Sequence, residues 1–145
     1  MSAKILIGLD GSSSGERAVA FAKKQAKLMG KCELIAVYVI EWSPYTFQTP
    51  DENEERHKRR VEETSAASSR IVEPVVEMLT AEGFTARGIV KHGHVADLLG
   101  STAVEEGADQ IVVARSSEGG FASRVFGTST ANLVMTSTVP VTVVG

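Results

Sequence analysis

The amino-acid sequence predicts an α/β protein built on a doubly wound parallel sheet, and three observations carry that prediction. Short runs rich in β-branched residues alternate with longer segments of helical spacing. Several of the runs are apolar at consecutive positions, as strands covered on both faces are. The 145 residues suffice for a single domain, residues 1–145, which buries about two-thirds of its unfolded surface.

The strands read as Lys4 to Leu9 ("KILIGL"), Glu33 to Ile40 ("ELIAVYVI"), Thr85 to Val90 ("TARGIV"), Gln110 to Ala114 ("QIVVA") and Val141 to Val144 ("VTVV"). Four helical segments lie between them. The first opens on Ser13 with Glu16 three residues on, a capping-box spacing, and buries Ala18, Val19, Ala22, Ala26 and Met29 before Gly30 stops it. The second runs from near Asp51 to just before Gly83, and Pro74 inside it predicts a kink or break. The third turns Val95, Leu98, Leu99 and Ala103 inward and stops at Gly107; the fourth begins near Gly127 and carries Ala131, Val134 and Met135 before Pro140. The order β-α-β-α-β-α-β-α-β implies right-handed crossovers with helices on both faces, while periodicity leaves the strand order open. The connection Glu41 to Pro50 ("EWSPYTFQTP") holds the sole Trp and reads as a lid, a partner surface or an apolar cover over the sheet edge.

Composition bounds the function. Apolar residues make up 43% and charged residues 23%, with a net charge of −3, so a clustered basic surface for nucleic acid is not expected. The single cysteine, Cys32, excludes an internal disulfide framework and fits a reducing compartment. The opening "MSAKILIGLDGS" has too short an apolar run for a signal peptide, and no stretch approaches 18 apolar residues, so the expectation is a cytoplasmic protein without a membrane span. The charge run Asp51 to Glu63 places Glu52, Glu54 and Glu55 at i, i+4 spacing to Arg56, Lys58 and Arg59, the pattern of a solvated helix face. His92 and His94 flank Gly93 without acidic or thiolate company, and no metal site is expected.

In an open α/β sheet ligands bind beyond the carboxyl ends of the strands where the order reverses, which directs attention to the loops after the first and fourth strands. In "LDGSSSGE", Gly11 to Gly15 fits G-x-S-x-G with Ser13 as nucleophile, but an elbow after the first strand has no earlier strand to supply an oxyanion loop, and the histidines are poorly placed. A polar helix cap explains the serines better. Neither a P-loop nor a dinucleotide fingerprint occurs. Asp10, at the tip of the first strand, either accepts hydrogen bonds from a base or ribose, or starts a turn. After the fourth strand, Arg115-Ser116-Ser117-Glu118-Gly119-Gly120 leads on to Gly127-Thr128-Ser129, a helix start whose free N–H groups and hydroxyls suit an anion. Thr128 or Ser129 acting only as a cap is the plainer alternative.

With "KILIGLDGS", "ELIAVYVIE", "HGHVADLL", "GADQIVVA" and "GGFASRVFGTSTANLVMTSTVPVTVV", the chain resembles the universal stress protein family over essentially its whole length. The resemblance implies a Rossmann-like, adenine nucleotide alpha hydrolase-like sheet of order 3-2-1-4-5. Nucleotide-binding members share G-x2-G-x9-G-[ST] after strand four; Gly127 and Thr128 match its end, whereas its first two glycines fall on Ala114 and Ser117. The nucleotide site implied by position comprises Gly8, Leu9, Asp10, Val39, Val113, Ala114, Arg115, Ser116, Ser117, Gly127, Thr128 and Ser129. The ligand implied is ATP or another adenine nucleotide, with Mg as companion. Glu118 stands where many members carry a basic residue, and Arg115 and Arg124 are its available counterweights. The function implied is a stress-response sensor or switch that acts through an unknown protein partner, with slow ATP hydrolysis or autophosphorylation at most. A nucleotide-free dimeric interaction module is the alternative, and a serine hydrolase using Ser13 a distant third. The apolar last strand should lie at a sheet edge and pair with its own copy, giving a homodimer through the C-terminal strand, as in family members.

Overall fold

The computed structural model describes residues 2–41, 50–115 and 129–145. Five parallel strands form one sheet: β1 (Ala3–Leu9), β2 (Cys32–Glu41), β3 (Thr85–Gly93), β4 (Gln110–Ala114) and β5 (Val141–Val144), in the order β3-β2-β1-β4-β5. After β1 the chain steps outward through β2 and β3, then returns to the other side of β1, so the order reverses between β1 and β4. The register is continuous, with Ile7 opposite both Ala36 and Val112.

Alternation along the buried strands makes two cores. Ile5, Ile7 and Leu9 pack with α1 (Ser14–Met29) and with Val72 and Leu79, whereas Leu6, Ile35, Val37 and Ile111 pack with α4 (Val95–Glu106) and Leu133. Helices therefore cover both faces. Helix α1 buries Ala18, Val19, Ala22 and Ala26 as its spacing predicts, but Met29 is exposed. Gly30 at φ 86° and Gly107 at φ 69° end α1 and α4 in conformations that glycine adopts without strain.

The second helical segment is divided into α2 (Pro50–Ala67), a π-helical turn (Ser68–Val72) and α3 (Glu73–Ala81). Pro74 has no N–H and would clash with the carbonyl four residues back. The ladder widens just before it, and the Glu73 N–H donates to the Ser68 oxygen. Strand β3 runs on to Gly93, beyond the predicted end at Val90, because Val39 to Glu41 supply ladder partners for the polar Lys91 and His92. In the charge run, Glu55 and Arg59 form an exposed ion pair at 3.7 Å.

The expected cap at Ser13 is corrected. Ser13 sits at the N-cap in helical geometry (φ −62°, ψ −21°) and makes no side-chain cap bond, since a side-chain cap requires extended backbone there. The last helix, 129–136, turns Leu133 into the core and leaves Ala131, Val134 and Met135 exposed. Leu-Val-Met in succession cannot all face inward, and the fit of Leu133 against the second core decides which does. The Glu41 to Pro50 connection falls, for 42–49, outside the described residues.

Candidate functional site at the carboxyl ends of the strands

The carboxyl ends of β1, β2 and β4 bring together Gly8, Leu9 and Asp10, Val39, and Val113, Ala114 and Arg115. Ser129, half-buried, stands at the head of helix 129–136. Ser116, Ser117, Gly127 and Thr128 lie outside the described residues, as do Glu118 and Arg124.

Gly8 is dictated by packing. A Cβ there would sit 2.8 Å from Val113 Cγ1 and 3.1 Å from Leu99 Cδ1, so only hydrogen lets β4 and α4 close over the end of β1. Its neighbour Leu9 is buried on the opposite face. Val39, Val113 and Ala114 are buried strand residues.

Asp10 is exposed and starts a turn. Its Oδ1 accepts from the Ser12 N–H at 2.9 Å and from the Ser12 hydroxyl at 2.7 Å, and Ser12 Oγ accepts in turn from the Ser14 N–H at 3.2 Å. This chain of bonds heads α1 in place of the Ser13 cap. Gly11 completes the turn at φ 79°, where a side chain would be strained. Of the two sequence readings of Asp10, the turn-forming one is the one this geometry shows.

Ala114 replaces a family glycine without backbone strain. No residue other than glycine has positive φ among the described residues, and Ala114 is an ordinary strand residue opposite Val144. At Arg115 the backbone is already engaged: its N–H donates to the Val144 oxygen at 2.7 Å, and its carbonyl accepts from the Arg17 guanidinium. What Arg115 has to offer a ligand is its exposed side chain.

Ser13 makes no hydrogen bond to a histidine among the described residues, and its helical φ/ψ is not that of a strained elbow. His92 instead lies against α2, and His94 forms the N-cap of α4 without a side-chain bond. The nucleophilic reading of Ser13 has no geometric support. Burial raises the thiol pKa of Cys32, with Asp109 adding to the effect, so the thiolate is disfavoured.

A parallel five-stranded sheet that reverses between β1 and β4 is a doubly wound α/β fold. The universal stress protein family matches residues 1–145. The chain belongs to that family. None of the curated proteins compared with it is significantly similar. Among solved structures, universal stress protein UspA from Lactobacillus plantarum superposes with a TM-score of 0.79 at 19% identity, covering 99% of this chain and 97% of that one. A universal stress protein in complex with cAMP gives 0.62 at 24% identity, covering 99% and 96%. A universal stress protein from Archaeoglobus fulgidus in complex with dAMP gives 0.61 at 16% identity, covering 100% and 98%. The strand order 3-2-1-4-5 that the resemblance implied is the order observed. No helix among the described residues is long and apolar enough to cross a membrane.

Proposed function

We propose that this universal stress protein is a cytoplasmic stress-response protein that binds an adenine nucleotide, ATP among the candidates, and acts as a sensor or switch through contacts with a partner. The observation that carries the reading is the convergence of Gly8 to Asp10, Val39 and Val113 to Arg115 on the strand ends at the reversal point. Structural relatives in complex with cAMP and dAMP support adenine as the base. In this reading Val39 and Val113 wall the base, the Asp10 carboxylate receives ribose hydroxyls, and Ser129 with the helix behind it faces the phosphates. Mg would neutralise phosphate charge beside Arg115.

Nucleotide retained by the purified protein tests the reading. Denaturing it and separating the supernatant by ion exchange should release an adenine nucleotide in stoichiometric amount. ATP with Mg²⁺ at a hundredfold excess over Kd should stabilise the fold by about 2.7 kcal/mol, of the order of 8 °C in Tm. Absence of both effects would refute nucleotide binding.

A second reading, a nucleotide-free dimeric interaction module, is favoured by the surface around β5. Val143 of β5 is exposed, and β5 has β4 on one side and no strand partner on the other among the described residues. We propose that this edge pairs with a second copy of the chain in either reading.

A further inference from the structure

A trough of about 500 Å³ runs between α1 and the stretch formed by the π turn and α3, on the face of the sheet that carries the first core. Leu9, Val19, Ile71 and Val75 give it an apolar lining, and Ala20 and Met78 extend that lining to exposed positions. Of the residues gathered at the strand ends, only Leu9 borders it.

Three charged side chains line the trough: Glu16 and Lys23 from α1, and Arg70 from the π turn. Lys23 is already committed, since its Nζ lies 3.2 Å from Glu82 Oε1 in an ion pair that joins α1 to the end of α3. The Ser12 hydroxyl is engaged as well, with Asp10 at 2.7 Å. Glu16 and Arg70 are exposed, and neither side chain has an ion pair or a hydrogen bond among the described residues, with the other or with any third group. They are the uncommitted charges of the lining, opposite in sign and carried by opposite walls.

That arrangement selects among amphipathic ligands. An apolar anion is attracted by Arg70 and repelled by Glu16, and an apolar cation meets the reverse, so each singly charged ligand has one unfavourable neighbour. A ligand that bears both charges beside an apolar chain has none. An α-amino acid has this pattern, with ammonium and carboxylate on one carbon and the side chain projecting from it. We propose that the trough binds an α-amino acid with an apolar side chain, its ammonium at Glu16, its carboxylate at Arg70 and its side chain on Val19, Ile71 and Val75, independently of whether the strand-end site holds a nucleotide. The guanidinium fork suits a carboxylate, and the volume and apolar lining are those of a small-molecule site.

L-Leucine is the first probe, at pH 7, where it carries both charges. In ¹H–¹⁵N NMR titrations of the full chain it should shift the amides of Glu16, Val19, Ala20, Ile71 and Val75 saturably, with a Kd of about 1 mM or lower. Isocaproate, which lacks the ammonium, and leucinamide, which lacks the carboxylate, should each bind at least about fivefold more weakly, and glycine, which lacks the chain, should not bind. Glu16→Gln should bring isocaproate level with leucine, and Arg70→Gln should do the same for leucinamide; both positions are exposed, so the fold is retained. Ala20→Trp, at another exposed lining position, should abolish the shifts by filling the trough. The proposal is overturned by absence of saturable shifts up to about 20 mM, by shifts confined to the ends of β1 and β4, by glycine binding as leucine does, or by isocaproate and leucinamide matching leucine in the native chain. ATP at saturation should leave the leucine map unchanged; displacement of leucine would make the trough part of the strand-end site and overturn a separate one.

Discussion

Gly88 in the middle of β3 shows how closely single atoms are fitted in this chain. A Cβ there would fall 2.2 Å from Val72 Cγ1, so the strand and the π turn meet only because the glycine has no side chain. Gly88→Ala should destabilise the fold by about 2 kcal/mol, and the double variant Gly88→Ala/Val72→Ala should recover part of the loss. Urea midpoints of the two single variants and the pair test this as a double-mutant cycle. Additive losses would show that the two residues do not meet. Arg87, next along the strand, donates to both Glu33 and Glu106 and ties β2, β3 and α4 together. The hydrogen bond from Arg87 lowers the Glu106 pKa below its ordinary 4.5, against a smaller opposing effect of desolvation. A depressed carboxylate pKa contributes stability that is present above the ordinary value and lost as pH falls through the depressed one. The advantage of the native protein over Glu106→Gln in urea midpoint should therefore be present at pH 7 and vanish toward pH 3. An advantage independent of pH would rule out the ion pair as its source.

At the scale of elements, helix 129–136 separates two roles that its sequence runs together. Leu133 is 2% exposed and Met135 83%. Leu133→Ala should cost about 2–5 kcal/mol, while Met135→Ala should change stability by no more than about 0.5 kcal/mol. Thermal or urea unfolding of the two variants tests this division between a core and a surface residue. The same comparison shows what was legible. The stops at Gly30 and Gly107, the break near Pro74 and the core stripe of α1 are visible in sequence, since each depends on local backbone chemistry or on spacing within one helix. The facing of Leu133 is not, because three adjacent apolar residues satisfy two stripes equally. The last three residues of β3 were missed for a related reason: Lys91-His92-Gly93 carries no apolar run, and its strand character comes from the neighbouring β2.

For the whole molecule, the side of β5 that has no strand partner among the described residues is the feature with the largest consequence. The Ile111 N–H donates to the Pro140 oxygen and the Arg115 N–H to the Val144 oxygen. The alternation of a parallel ladder then turns the outward backbone groups of the strand to Val141 and Val143. Val143→Pro removes an outward donor without touching the ladder to β4. If β5 pairs with its copy, that variant should sediment as a monomer with its Tm in the monomeric range, and an unchanged dimer would exclude edge pairing. Thr142→Pro is the harsher control, because it breaks the inward ladder as well.

The sequence by itself determined the class of the fold, the alternation of elements, the family and the positions where a nucleotide site should gather. Those properties follow from periodicity, from glycine and proline chemistry and from a motif that survives at Gly127 and Thr128. Only the tertiary structure decided that the Asp10 carboxylate is bound by Ser12 in the turn before α1, that Arg115 is tied by its backbone to β5, and that His92 meets α2. Each of these is a contact between residues or elements whose meeting depends on backbone geometry or on distant chain segments. Local spacing cannot choose among such contacts, because their free energy is realised only when the whole sheet closes.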